Sequence, residues 1–104
     1  ANDQSELDFI AKNVLSGMFL TNDNSTKNLY NLAFEKIAKS NNTIAIQNLV
    51  TDLVAKGKEF KKFNFDKTAV SLLTKMVEYQ KTNEVAGRNK HIAIIRTGMT
   101  QLVN

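Results

Sequence analysis

The sequence contains no cysteine, no proline and no tryptophan, and only four glycines, two arginines and one histidine. Without cysteine there are no disulfides, no thiolate zinc or iron–sulfur sites and no thiol nucleophile, although the cellular compartment is left open. The scarcity of proline and glycine, with no Asn-Gly or Asp-Gly pair, removes the punctuation that all-β chains carry and favours helices. A lone histidine, His91, cannot build a two-histidine metal site, and any other site would need carboxylates gathered from distant helices. One haem arrangement is conceivable on paper, with Met18 and His91 as axial ligands. Met18, however, fits an apolar helical stripe and His91 stands between Arg88, Lys90 and Ile92, so the expectation is a core methionine, a histidine among charges, no metal and no cofactor.

Long apolar runs are missing as well. A stretch such as Ile92–Ile95 falls far short of the ~20 residues a membrane-spanning helix requires, so a soluble chain is expected. The chain starts at Ala1 rather than Met, which points to processing or to a longer parent protein and leaves both cytoplasmic and secreted locations open. Asn24-Ser25-Thr26 and Asn41-Asn42-Thr43 match the glycosylation pattern, but both lie where loop and cap residues are expected anyway.

What is present suits one helical core. The 104 residues, 42% hydrophobic and 23% charged, correspond to a single globular domain. A chain of this length hides roughly 65% of its unfolded surface, enough to fold without a staple. Apolar residues recur at three- and four-residue spacing in five segments, which predict helices over about 5–19, 26–39, 43–61, 66–81 and 84–103. The first opens on Ser5-x-x-Asp8, a variant capping box, and carries Leu7, Ile10, Val14, Leu15 and Met18. In the second the stripe is Tyr30, Ala33, Phe34, Ile37 and Ala38. The third has Ile46, Leu49, Val50, Leu53, Val54 and Phe60, passing through Gly57, where a kink or a close helix approach is expected; Gln47, Asn48, Thr51 and Asp52 form its polar face. The fourth has Ala69, Val70, Leu73, Met76, Val77 and Tyr79, with Asn64 or Asp66 as cap. The last has Val85, Ile92, Ile95, Met99 and Leu102; Asn83 is a candidate cap and Gly87 falls in the preceding loop or in the helix itself. Short polar connections make successive helices antiparallel neighbours, so the expected fold is an all-α, compact antiparallel bundle of four or five helices.

No catalytic pattern is visible. Ser5, Ser16, Ser25, Ser40 and Ser71 lie in no Gly-x-Ser-x-Gly elbow, no phosphate-cradling glycine loop occurs, and Glu6 and Asp8 point to different sides of a helix. The chain is therefore expected not to be an enzyme. Its charge is the informative feature. The net +4 divides unevenly, with residues 1–55 at −2 and residues 56–104 at +6. Lys56, Lys58, Lys61, Lys62 and Lys67 interleave with Phe60, Phe63 and Phe65, a combination that can hold phosphates and stack bases. The same residues also read as the solvated end of the third helix, with lysines complementing its dipole and the phenylalanines folded back on the core. Twelve lysines to two arginines argue against specific nucleic-acid readout, because arginine is the better bidentate partner of phosphate and guanine.

By elimination, the expected function is a helical interaction module binding another protein, as an adaptor, inhibitor or regulatory subunit, through a partner surface that is acidic and apolar. The candidate contact residues are Lys58, Phe60, Lys61, Lys62, Phe63, Phe65, Lys67, Arg88, Lys90 and Arg96. Tyr30 and Tyr79 are further aromatic anchors, to be dropped if they pack into the core. The alternative is a nucleic-acid-binding domain using the 56–67 segment and the Arg88, Lys90, Arg96 side of the last helix. A self-association surface is a third use for such a bundle.

Overall fold

The polar clusters that interrupt the apolar stripes are where the helices stop and start. A computed structural model describes residues 12–14, 16–81 and 88–103, and among these the chain is helical with no strand. Helix α1 is seen at 12–14 and 16–19, α2 is Asn24–Lys39, α3 Thr43–Glu59, α4 Phe65–Lys81 and α5 Arg88–Val103; a single 3₁₀ turn, Lys61–Phe63, joins α3 to α4. The expectations for Ser5, Leu7, Asp8, Ile10, Leu15, Asn83, Val85 and Gly87 lie outside the described residues.

Caps account for the boundaries. Asp23 precedes α2, accepting from the Ser25 N–H at 3.3 Å and the Thr26 hydroxyl at 2.6 Å. The helix thus starts two residues earlier than its apolar stripe suggests. It ends at Ser40, whose N–H and hydroxyl both donate to the Ile37 carbonyl, at 3.0 and 2.7 Å. Asn42 then caps α3 by accepting from the Ala45 N–H at 3.0 Å. At the far end α3 stops at Glu59, because the chain tightens into the 3₁₀ turn after Phe60.

The helices alternate in direction, so α3 and α5 run parallel to each other and antiparallel to α4 between them. Thr43 meets His91 near one end of that pair and Gly57 meets Leu102 near the other. Glycine on each helix makes room for the other. A Cβ on Gly57 would stand 2.8 Å from Leu102 Cδ2, and one on Gly98 would stand 2.5 Å from Val50 Cγ1. The close approach expected at Gly57 is therefore real, and Gly98 repeats it in reverse.

The core is one continuous cluster. Val14 and Met18 from α1, Phe34, Ile37 and Ala38 from α2, and Ala45, Ile46, Leu49, Val50, Leu53 and Val54 from α3 are buried in it. So are Ala69, Leu72, Leu73, Met76 and Val77 from α4, with Ile95 and Leu102 from α5. Two expectations need correction. Asp52 is only 6% exposed, not on a solvated face, because α3 is covered by α2, α4 and α5 and its buried arc is wider than one stripe. His91 is 1% exposed rather than lying among charges. Its sequence neighbours are basic, but its helical position turns it inward beside Ile95, one turn on.

Candidate functional site

At the α3–α4 corner the backbone turns sharply, and Asn64 makes the turn feasible. It has φ 64° and ψ 24°, the left-handed region that asparagine tolerates better than most residues. Its N–H donates to the Lys61 carbonyl at 2.8 Å, while its own carbonyl accepts from the Lys67 N–H at 3.2 Å and the Thr68 N–H at 3.3 Å. Asn64 thus closes the 3₁₀ turn and opens α4 with backbone groups. Asp66 sits in the first turn of α4, where a carboxylate complements the helix dipole.

This turn gathers aromatic rings. Phe60 and Phe65 have centroids 5.7 Å apart, Phe63 lies 6.4 Å from Phe60 and 6.1 Å from Phe65, and Phe19 at the end of α1 lies 6.0 Å from Phe65. All the interplanar angles are tilted, as the ring quadrupoles prefer. Phe60 and Phe65 are half-buried beneath, whereas Phe63 is 58% exposed and Phe19 41%, with Leu20 beside it at 46%. An apolar platform therefore faces solvent at one end of the bundle. Lys58, Lys61, Lys62 and Lys67 are all exposed, and the Lys62 ammonium stands 5.4 Å from the Phe63 ring centroid. None of these four lysines forms an ion pair among the described residues, in contrast to Lys56, which lies 3.6 Å from Glu59.

The remaining candidates are elsewhere. Lys90 is exposed near the start of α5, next to the buried His91, whereas the end of α5 borders the corner; about 18 Å of helix separates them. Arg96 is exposed midway along α5. The Arg88 side chain lies outside the described atoms. Lys90 therefore lies at the opposite end of α5 from the 56–67 segment. Tyr30 and Tyr79 are half-buried against the core, with the Lys39 ammonium 5.0 Å above the Tyr79 ring, and they drop out as anchors.

His91 has no vacancy for a metal. Its Nε2 lies 2.9 Å from the Thr43 hydroxyl and its Nδ1 3.1 Å from the Gln80 side-chain oxygen, so both ring nitrogens are engaged in joining α3, α4 and α5. Among the described residues no cluster of three or more potential metal ligands occurs, and no helix is long and apolar enough to cross a membrane.

Sequence reasoning missed Phe19 and Leu20. They follow Met18 off the apolar stripe of α1, and that misfit is the only signal a sequence offers for a pair of exposed apolar residues at a helix end. Comparison with known protein families, curated proteins and solved structures finds no match to this chain.

Proposed function

We propose that the chain is a non-enzymatic interaction module, an adaptor, inhibitor or regulatory subunit, that binds another protein through the phenylalanine platform at the α3–α4 corner. The observation that carries this reading is Phe63, 58% exposed while its ring touches Phe60 and Phe65 beneath it. A large aromatic side chain held by its neighbours loses little freedom on binding and buries much apolar area, the combination found at binding hot spots. The exposed lysines select the partner. Their ammonium groups favour an acidic rim around an apolar centre, and they accelerate encounter with such a surface.

The test is a pull-down from the native source with the wild-type chain, Phe63→Asp and Lys61→Glu/Lys62→Glu. A protein retained by the wild type and lost by both variants, with an acidic patch cross-linking to the 58–67 region, supports the reading. Retention that ignores both variants overturns it.

A second reading, single-stranded nucleic-acid binding, draws on the Lys62 ammonium standing beside the exposed Phe63 face, since such binding uses a cation for phosphate and a ring for the base. The distance of Lys90 from this corner shortens the track a strand would follow. Fluorescence anisotropy with oligothymidylate separates the two: submicromolar affinity falling steeply with salt would favour nucleic acid.

A further inference from the structure

The α3–α4 corner has a second side. Beyond the phenylalanines, a cleft of about 380 Å³ opens between the start of α4 and the end of α5, lined by Val70, Leu102 and Val103 with Lys61, Lys67 and Asp66. Its volume lies in the range of ligand pockets, roughly 300–1,000 Å³. Val103 is 72% exposed, so part of the apolar lining is open to solvent. The 3₁₀ turn carries both Lys61 and Phe63, and the first turn of α4 carries Phe65, Asp66 and Lys67. Platform and cleft are therefore built on the same 3₁₀ turn and the same first turn of α4.

We infer that this cleft is the second half of the docking surface, taking an apolar side chain from an acidic segment of the partner while Lys61 and Lys67 receive that segment's carboxylates. The inference rests on the platform being a protein-binding site. Charge complementarity names the occupant. Two ammonium groups without ion-pair partners among the described residues line the cleft together with one carboxylate and the apolar side chains, so its lining is net positive. A neutral apolar segment would bury those ammoniums uncompensated, and a basic one would meet repulsion; an acidic, apolar segment satisfies both the charge and the lining. A nucleic-acid strand would use the lysines but has no group for Val70, Leu102 and Val103, where no ring is available for stacking.

The experiment is methyl and aromatic NMR of the full chain, titrated at low salt with a short synthetic peptide of alternating glutamate and leucine. Two control peptides have every glutamate replaced by glutamine or every leucine by serine. The expected result is concerted shifts at Val70, Leu102, Val103 and Phe63, with roughly tenfold weaker binding of each control. Val103→Glu, at a position 72% exposed, is expected to unfold at the wild-type urea concentration, to abolish the shifts at Val70 and Leu102 and to retain those at Phe63. Shifts confined to Phe63 in the wild type would overturn the cleft inference and leave the platform reading standing. Equal binding of the glutamine control would remove the role assigned to Lys61 and Lys67 and overturn it too. Shifts at neither face, at millimolar peptide, would overturn both readings.

Discussion

The Gln80 side chain orients His91. Both amide hydrogens of Gln80 are committed, one to the Ala38 carbonyl at 2.7 Å and the other to the Ser40 carbonyl at 3.0 Å, so its oxygen faces His91 Nδ1 at 3.1 Å and must accept. Nδ1 therefore carries a proton, and in the neutral ring Nε2 accepts from the Thr43 hydroxyl. Gln80 is 0% and His91 1% exposed, and through them the end of α2, the start of α3, α4 and α5 are tied together at one end of the bundle. Gln80→Leu keeps the volume but removes the hydrogen bonds to the Ala38 and Ser40 carbonyls and to His91. At roughly 1–3 kcal/mol for a buried group stripped of its partner, the expected loss is about 2–4 kcal/mol in urea unfolding. A loss below about 1 kcal/mol would show that the network is not holding the helices together.

The reciprocal glycines of α3 and α5 give a prediction about sign. In a free helix, glycine to alanine gains about 1 kcal/mol. At Gly98 that gain is outweighed, because the new Cβ would stand 2.5 Å from Val50 Cγ1, and the short β-branched valine has no flexible end to swing away. At Gly57 the nearest atom is the tip of Leu102, 2.8 Å away on a longer side chain that can rotate, so only the looser contacts with Ala69 Cβ at 3.1 Å and Asp66 Cα at 3.4 Å resist the new methyl. Gly98→Ala is expected to lower stability by about 1–3 kcal/mol, and Gly57→Ala by less. Equal thermal midpoints for Gly98→Ala and the wild type would contradict the close crossing.

These two cases also show what was legible in the sequence. The stripe of α3 from Ile46 to Val54 was readable because period and burial coincide over several turns, and Gly57 inside it already pointed to a close approach. Leu72 and Gln80 escaped the stripe of α4, because that helix is packed by α2, α3 and α5 and buries more than one line of residues. His91 was misread because charge along a chain does not report which way a helical position faces. The Phe60, Phe63 and Phe65 cluster is contiguous in sequence and was legible. Phe19 joins it only through the tertiary fold.

Asp23 provides a pH test at the start of α2. The Thr26 hydroxyl, followed by the Ser25 and Thr26 backbone N–H groups, holds its carboxyl below the ordinary value of 3.8. A lowered value in the folded state means that the contribution is fully present above the unfolded value and is lost as pH falls through the folded one. Asp23→Asn retains an acceptor for the Ser25 N–H, so it should keep most of the cap while flattening the acid limb of the stability curve. Asp23→Ala should weaken α2 at every pH, with amide exchange at Ser25 and Thr26 accelerating first. An unchanged exchange rate in the alanine variant would show that the cap contributes nothing.

Phe63 and Phe65 offer a way to separate folding from binding at the corner. Phe65 is half-buried and touches Phe19, Phe60 and Phe63, so Phe65→Ala removes support from the whole cluster, at a cost of about 2 kcal/mol, less than the 3–5 typical of fully buried phenylalanine. Phe63 is 58% exposed, and its loss should cost under about 1 kcal/mol, mostly from its tilted contacts with Phe60 and Phe65. If the platform is a docking site, the order reverses for affinity. Phe63→Ala is then expected to weaken a captured partner by tenfold or more while the chain unfolds at nearly the wild-type urea concentration. Neutralising Lys61 and Lys62 should instead slow association and flatten its salt dependence, since exposed rim charges act mainly on encounter. A Phe63→Ala chain that binds as well as the wild type would leave the exposed ring without a role in recognition.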